Sequence, residues 1–333
     1  MTAWSYYIST LAVYFGVNVL SALALNLQFG FAGVVNFGYI IFQSVGAYIA
    51  AVVVLGPSSG TFQQYVFGAR LPFPIPLLLA TAAGAVLSLL IGLFTLRNIR
   101  RDYQAAILLI LSLIATQVVQ GYVPLFNGSN GLTGIARPFS SSLPLPLQDY
   151  QWAYAAWGLV LCIVVYALVT WLSRSPWGRA LRAMRDQEEA ATAIGLNITA
   201  LRLQVFVIGG AIAGLSGGLL VEYISAWSPD AWGYAETFVI FTAIFVGGVG
   251  NYRGVVLGVL LVPILFLELP RFLPQFGYPG LTDSLEWIAI GAIWMICLYV
   301  RPQGIVPEKR SIARRRENAD SQDAPVTGQM ETA

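Results

Sequence analysis

Charged side chains, histidine and cysteine are all scarce in this chain of 333 residues. Only 10% of the residues are charged, against roughly 25% in soluble domains, which excludes an ordinary soluble globular core. The chain has no histidine, which argues against a haem, a His-based metal site and an imidazole proton relay. The two cysteines, Cys162 and Cys297, lie in separate apolar runs. This position argues against a disulfide or a metal site and favours buried packing.

What the chain does have is apolar residues, 57% of the total, in runs long enough to cross a bilayer. A membrane-spanning helix needs about 20 apolar residues. The runs predict an all-α, polytopic transmembrane bundle of eight to ten spans, of which nine are favoured. The predicted spans are 5–28, 34–55, 74–96, 104–124, 151–172, 203–222, 235–250, 254–272 and 284–300. A short hairpin and a broken helix both fit the glycine-rich residues 247–254, and glycines also predict a broken helix at 29–46.

The basic residues predict the orientation of the bundle, because cytoplasmic loops of membrane proteins are enriched in Lys and Arg. Nine spans put fifteen of the eighteen on one side: Arg97, Arg100, Arg101, Arg174, Arg179, Arg182, Arg185, Arg202, Arg253, Arg301, Lys309, Arg310, Arg314, Arg315 and Arg316. Arg70, Arg137 and Arg271 fall on the other side or at its edge. We therefore expect a membrane domain over 1–306 with its N-terminus outside, and a disordered, polar, cytoplasmic tail over 307–333.

The cytoplasmic loop 174–202 is charge-dense and helix-prone, unlike the rest of the chain. Ser175 is a good N-cap, Pro176 suits the first turn, and Gly195 suits the stop after a helix that reaches Ile194. Arginines recur on one face of this helix and apolar residues on another, so one interpretation is an interfacial helix with its basic face toward lipid headgroups. The other interpretation is a docking site for a water-soluble partner.

The loop contains Glu189-Ala190-Ala191 followed by Gly195, and this E-A-A-x-x-x-G pattern resembles the coupling loop of bacterial ABC-importer permeases. In that family the small alanines let a short helix sit in a groove of the ATPase subunit. The I-x-L-P ending of many importer permeases is absent, and VFVIGG stands there instead. The resemblance implies a coupling role for Arg182, Arg185, Glu188, Glu189, Ala190, Ala191 and Gly195.

Further segments resemble the permeases for branched-chain amino acids, in the same order along the chain. They are LNLQFGFAGVVNFGYIIFQSVGAYIAA, NGSNGLTGI, RSPWGRALRAMRDQEEAATAIGLNI, FVIGGAIAGLSGGLL, SPDAWGY, FVGGVGNYRGVVLG and RPQGIV. In the loop NGSNGLTGI, Phe126 and Asn127 stand where the family has threonine and glycine, which puts any family role there in doubt. The resemblance covers about residues 20 to 306.

The resemblance implies a heteromeric importer of the bacterial inner membrane. Its partners would be a second related permease, two cytoplasmic ATP-binding subunits and a periplasmic substrate-binding protein. This chain has no GxxxxGK[ST] sequence, so it is not the ATP-hydrolysing subunit and needs no cofactor of its own; ATP and Mg²⁺ belong to the partner ATPase. We expect contact with membrane lipid and none with nucleic acid.

A substrate path needs polar partners inside the bilayer, and broken helices supply them. The candidates are Gly30, Gly33, Asn36, Gly38, Gln43 and Gly46, with Gln117 and Gln120 as secondary candidates. Helix packing is an equally good interpretation of these glycines. The external loop would shape the outer mouth of the path or receive the binding protein, although an inert loop also fits. Its candidate residues are Asn130, Gly131, Thr133 and Gly134. The small-xxx-small series Gly210, Gly214 and Gly218 is typical of helix packing.

Several alternatives remain open at the level of the sequence. A permease of the same family for urea or short amides fits the same motifs. An ion-coupled secondary transporter should have carboxylates near the middle of its spans, whereas Glu222, Glu236 and Glu268 fall near span ends. A membrane-embedded enzyme would need clustered nucleophiles, metal ligands or paired carboxylates, and the sequence shows none. A scaffold protein is disfavoured by the family resemblance alone.

Overall fold

The computed structural model of the chain describes residues 3–57, 63–98, 101–138, 146–268, 281–301 and 303–308. Most of these residues are helical, and the only strands among them are two short ones. The predicted tail therefore lies outside the described residues from Lys309 onward, as do Arg100 and Arg271. The helices are α1 (Ala3–Asn26), α2 (Tyr39–Val54), α3 (Ile75–Asn98), α4 (Arg101–Gly121), α5 (Val123–Phe126), α6 (Leu147–Arg174), α7 (Pro176–Asp186), α8 (Glu188–Ala193), α9 (Ile198–Ile224), α10 (Tyr234–Gly247), α11 (Tyr252–Val259) and α12 (Leu281–Val300).

The all-α, polytopic prediction is confirmed. Among the described residues, five helices are long and apolar enough to cross a membrane, namely α1, α3, α4, α6 and α9. Four shorter apolar segments lie in the other four predicted spans: Tyr39–Val54, Tyr234–Gly247, Tyr252–Phe266 and Trp287–Cys297. The number of nine spans stays a prediction, because a short helix can cross, enter or lie within the bilayer.

Helix α9 is central to the bundle and packs against α1, α2 and α3. A Cβ placed on Gly214 would overlap the carbonyl of Ala80 in α3, and one on Gly46 of α2 would overlap the backbone of Gly214. A Cβ on Gly210 would overlap the side chain of Ser88 in α3. Helices whose backbones approach this closely gain dispersion contacts that larger residues would prevent, which matters where lipid removes the hydrophobic drive for association.

Three of the long helices turn apolar side chains outward, as spans in contact with lipid or another membrane subunit do. Large exposed apolar residues lie along α3, α4 and α6: Leu78, Val86, Leu90, Phe94, Ile110, Ile114, Val118, Val160, Ile163, Val164 and Trp171. These helices are mostly exposed, whereas the most apolar windows of α1 and α9 are 61% and 67% buried.

The chain breaks after α1, as the glycines at 29–46 predicted. A π-helical turn, Leu27–Phe31, ends α1, and residues 32–38 are not helical before α2 begins at Tyr39. Gly33 has φ +68°, a conformation that glycine adopts without strain. The predicted start of the second span at residue 34 was therefore five residues too early.

A hairpin forms at residues 247–254, which decides between the two sequence interpretations. Helix α10 ends at Gly247, and Gly248 and Gly250 have φ of +128° and +77° in the turn before α11. A Cβ on Gly247 would overlap the carbonyl of Gly254, so the two helices touch through their backbones. A second π-helical segment, Leu260–Phe266, follows α11 and contains Pro263.

The two ends of the bundle differ in structure. At one end, called here the α7 end, lie α7, α8, the start of α9, the α10–α11 turn and residues 303–308. At the other, the strand end, β1 (Leu132–Thr133) pairs antiparallel with β2 (Ala226–Trp227), Leu132 opposite Trp227. The strand pair joins the loop after α5 to the loop after α9, so both loops form one surface.

Candidate functional site

Helix α7 begins as its sequence predicts. The Ser175 side chain caps it by accepting a hydrogen bond from the Gly178 amide at 3.4 Å, and Pro176 occupies the first turn. Leu181 and Met184 are almost completely buried against the bundle. The N-cap is therefore confirmed, as is the burial of Leu181 and Met184 from the predicted apolar face.

The prediction of one helix through to Ile194 was wrong. The chain leaves helical geometry at Gln187, which has φ −150° and ψ 93°, and a separate short helix α8 follows. Two tertiary contacts favour the break over continuous helix: Glu188 forms an ion pair with Arg202 at 2.5 Å, and Ala191 is buried, with 2% exposed. Gly195 has φ +86° and ends the segment, as predicted.

Arg185 joins α7 to two distant parts of the chain. Its Nη1 donates to the carbonyl of Gly30 in the π-helical turn, and its Nη2 donates to the Glu308 carboxylate at 2.9 Å. Its Nε donates to Asp186 at 3.0 Å. Burial lowers the pKa of Arg185, but the Glu308 and Asp186 carboxylates outweigh burial and raise it overall, so the guanidinium stays charged.

Arg182 also faces the bundle. Its Nη2 donates to the carbonyl of Ser173 at 3.3 Å, and its guanidinium lies 5.8 Å from the centre of the Phe31 ring. Phe31 belongs to the same π-helical turn as Gly30. The predicted basic face toward lipid headgroups does not fit Arg182 and Arg185, since both turn inward, whereas Arg179 is exposed.

The outer surface of α8 is small, shallow and exposed. Glu189 and Ala190 face solvent, while Ala191, the second alanine of the motif, packs inward. Ile194, which the sequence pattern groups with Leu181 on one apolar face of the predicted helix, is 74% exposed. An acidic side chain, a small alanine and an exposed isoleucine together form a surface that a complementary groove can cover.

The break after α1 contains a chain of buried amides. Asn36 Nδ2 donates to Gln28 Oε1 at 3.0 Å, and Gln28 Nε2 donates to the carbonyl of Phe206 in α9 at 3.1 Å. Asn36 is completely buried, and its Oδ1 has no hydrogen-bond partner within the described part of the chain. Asn26 Oδ1 accepts from the Gly250 amide at 3.0 Å, which links the break to the α10–α11 turn.

Sequence reasoning named Asn36 but missed Gln28 and Asn26. Both are amides inside the otherwise apolar stretch LALNLQFGF, and that is the signal that identifies them. A polar atom left without a partner in a bundle costs roughly 1–3 kcal/mol. Asn36 Oδ1 is therefore a buried acceptor that no donor among the described residues satisfies.

The other predicted path residues occupy different places. A Cβ on Gly38 would meet the carbonyl of Leu108, and one on Gly30 would meet Asn26. Gln43 is buried in α2, with 4% exposed. Elsewhere Gln117 is exposed on α4, and Gln120 Nε2 donates to Asp230 at 2.5 Å near the strand end. The structure thus brings Gly30, Gly33 and Asn36 to the break and leaves the two α4 glutamines apart from it.

The predicted external loop is ordered by Asn127. This residue has φ +59°, and its side chain donates to the Gly131 carbonyl at 2.6 Å and accepts from the Gln64 amide at 3.1 Å. Asparagine is among the few residues other than glycine that adopt this conformation readily. Asn127 therefore preserves the turn that a glycine would make at this position.

The rest of the loop packs around β1. Gly131 lies against the carbonyl of Trp227, and Thr133 exchanges hydrogen bonds with the Gln63 side chain, the shortest at 2.8 Å. Asn130 and Gly134 are exposed. Their position permits contact with an external partner.

The fold and these features define a multi-pass helical membrane protein with a short, exposed helix, α8, at one end. The family described as "Branched-chain amino acid transport system / permease component" matches residues 7–278. The chain belongs to this family of branched-chain amino acid ABC transporter permeases, whose members are transport components and not enzymes.

Curated relatives agree with the family. The probable branched-chain amino acid transport permease protein LivM of Methanocaldococcus jannaschii is 30% identical over 91% of this chain and 94% of its own length. The high-affinity permease LivM of Escherichia coli is 25% identical over 95% of this chain and 75% of its own length. LivH of Escherichia coli, another permease of the branched-chain system, is 26% identical over 86% of this chain and 90% of its own length. No solved structure matches the chain.

Proposed function

We propose that this chain is one of two related permease subunits of an ABC importer for branched-chain amino acids. Two cytoplasmic ATPase subunits, which hold ATP and Mg²⁺, drive the importer, and a periplasmic binding protein delivers the substrate. The relatives support the permease role and the branched-chain substrate, since both LivM and LivH proteins are among them. In this proposal the chain itself forms part of the substrate path and links the ATPase mechanically to that path.

The observation that carries this proposal is the set of contacts around Arg185. An ATPase that pulls on the exposed face of α8 also moves α7, because the two are separated only by Gln187. Arg185 connects α7 directly to Gly30 at the break in the membrane bundle. Movement at the docking surface therefore reaches the buried amides at Gln28 and Asn36 through a few hydrogen bonds.

The substrate contacts in this proposal are the polar groups of the break. A zwitterion in the bilayer needs donors and acceptors, and Asn36 Oδ1 together with the non-helical backbone of 32–38 offers them. Gly30, Gly33 and Gly38 keep side chains away from this backbone. The remaining candidates contribute less to the substrate path, because they lie at packing or surface positions: Gln43, Gly46, Gln117 and Gln120.

The proposed orientation places the α7 end in the cytoplasm and the strand end outside. The charge asymmetry supports it, because fifteen of the eighteen basic residues fall on the predicted cytoplasmic side. The N-terminus is then periplasmic, the domain over 1–306 lies in the inner membrane, and the tail over 307–333 is cytoplasmic. A cysteine in place of Ser175 should react with a membrane-impermeant thiol reagent only after the inner face is opened.

Two other functions can be separated from this one. A urea or amide permease of the same family would use the same docking surface, and competition of uptake by each solute distinguishes it. A secondary transporter would move its substrate without nucleotide, so uptake into vesicles by this chain without an ATPase would exclude the proposal.

The docking surface is tested by one substitution on the exposed face of α8 and one at the glycine that ends it. Glu189→Lys places a cation on the exposed face of α8, and Gly195→Glu strains a residue with φ +86°. We expect both to abolish uptake and ATPase recruitment while the protein still inserts. Asp149→Lys reverses an exposed acid at the start of α6 and is the matched control, with normal uptake expected. Normal recruitment by the α8 variants would contradict the docking role.

A further inference from the structure

A cavity of about 660 Å³ lies at the strand end, between the end of α2, residues 70–76 and residues 134–138. Most of its wall is apolar, including Leu55, Leu71 and Phe73. Among the described residues, the charged ones that line it are Arg70, Arg137 and Glu222. Ligand pockets typically enclose about 300–1,000 Å³ with mostly apolar walls and a few polar groups, so the cavity has the size and composition of a small-molecule site.

The two arginines are unusual for this end of the chain. The sequence predicts only three of the eighteen basic residues on this side, and Arg70 and Arg137 are two of them. Although they are 67 positions apart in sequence, both line the same cavity. Arg137 is stacked near the Tyr150 ring at 5.9 Å, and the Arg70 guanidinium lies over Gly56. A pair of guanidinium groups held at one cavity is suited to a carboxylate.

Glu222 supplies an acidic group to the same cavity. It lies near the end of α9, is 1% exposed, and its Oε2 has no hydrogen-bond partner in the described residues. A buried carboxylate oxygen without a donor is costly, and an arriving ammonium group removes that cost. The cavity therefore has two exposed arginines, a buried acidic side chain and mostly apolar walls.

We infer that this cavity is an entry site that binds a free aliphatic α-amino acid in its zwitterionic form before it enters the membrane path. The ligand carboxylate contacts Arg70 and Arg137, its ammonium group contacts Glu222, and its side chain lies against Leu55 and Phe73. The inference rests on the proposed function, because the strand end must face outside and the solute must be an amino acid. It adds a substrate site distinct from the break at Asn36.

The test is direct binding of L-leucine to the assembled importer in lipid nanodiscs, measured by calorimetry with the binding protein left out. Leucinol lacks the carboxylate, and 4-methylpentanoate lacks the ammonium group, so each removes one half of the proposed recognition. We expect leucine to bind at least about tenfold more tightly than either analogue, since charge-assisted hydrogen bonds are lost in both.

Two variants match the two analogues. Arg137→Met should weaken leucine about tenfold and leave leucinol unchanged, because leucinol never used the guanidinium. Glu222→Gln should weaken leucine and leave 4-methylpentanoate unchanged. Arg137 is exposed, so its variant is expected to fold, and Asp230→Asn on the same face but outside the cavity is the control with unchanged binding.

Equal binding of leucine by wild type and Arg137→Met would overturn the inference. So would a loss of affinity for the leucine-loaded binding protein with no loss for free leucine, since that result assigns the arginines to docking. The proposed function is judged separately by ATP-driven leucine uptake of the wild-type importer supplied with its binding protein. An importer that takes up leucine but does not bind it free retains the function and lacks the entry site.

Discussion

The two ends of this bundle use charge in opposite ways. At the α7 end, Arg185 and Arg202 are held by carboxylates, and their side chains are only 21% and 13% exposed. At the strand end, hydrogen bonds between neutral groups hold the loops in place. Asn127 donates to the Gly131 carbonyl, and the Tyr48 hydroxyl donates to the Leu125 carbonyl. The arginines there are exposed around a cavity.

This difference is consistent with the roles proposed above for the two ends. Charge-assisted hydrogen bonds contribute about 1.5–3 kcal/mol and neutral ones about 0.5–1.5 kcal/mol. An end that passes force between subunits benefits from the stronger, directional contacts of Arg185. An end that receives a charged solute benefits from cations that stay accessible.

The largest effect should come from Arg185→Met. It leaves the Glu308 carboxylate without its cation and the Gly30 carbonyl without its donor, and the pair is mostly buried. We expect a loss of about 3 kcal/mol in the free energy of unfolding and a loss of uptake with ATP hydrolysis retained. Thermal denaturation in nanodiscs measures the loss of stability, and vesicle assays measure the loss of uptake. Arg179→Met, on the exposed side of the same helix, should change neither.

Asn127→Ala should produce the next largest effect, at the strand end. Alanine loses both side-chain hydrogen bonds and disfavours φ +59°, a total of about 2 kcal/mol. Asn127→Gly loses the hydrogen bonds and keeps the conformation, so about half of the destabilisation should return. Equal melting temperatures for the two variants would show that the conformation of Asn127 has no energetic role.

A smaller contrast is expected between adjacent glutamates of α8. Glu188→Gln removes the ion pair with Arg202, and because the Glu188 side chain is 38% exposed the loss should be about 1 kcal/mol. Glu189→Gln should leave the melting temperature unchanged, since Glu189 is exposed. If Glu189→Gln destabilises the protein as much as Glu188→Gln, the exposed side of α8 has a structural role.

The smallest effect should come from Asp230→Asn. Its carboxylate accepts a hydrogen bond from Gln120 at an exposed site, where such contacts add little. We expect uptake within about twofold of wild type. A large loss would indicate that the loop over 225–233 contributes to the path and would weaken the contrast between the ends.

The sequence predicted most of the fold, because hydrophobic runs determine where helices form in a membrane protein. The third predicted span, 74–96, corresponds to Ile75–Asn98, and the cap at Ser175 and the stop at Gly195 follow from local chemistry. The break at Gln187 was missed because Gln, Glu and Ala favour helix. Only contacts far along the chain, such as Glu188 with Arg202, reverse that preference.

The candidate site could be predicted only in part for the same reason. The docking motif is contiguous in sequence, so Glu189 and Ala190 could be named from it. The partners of Arg185 lie 155 and 123 positions away, and no local pattern indicates them. The common cavity of Arg70 and Arg137 also depends on the folded chain.

The backbone contacts among α2, α3 and α9 have a further consequence for motion. Where Gly46 and Gly84 lie against Gly214, no side chain is available to adjust, so the three helices have little freedom to shift relative to one another. In the proposed transport cycle, a change between inward and outward openings would then take place at segments without regular helical geometry. Residues 32–38, which join α1 to α2, are one such segment.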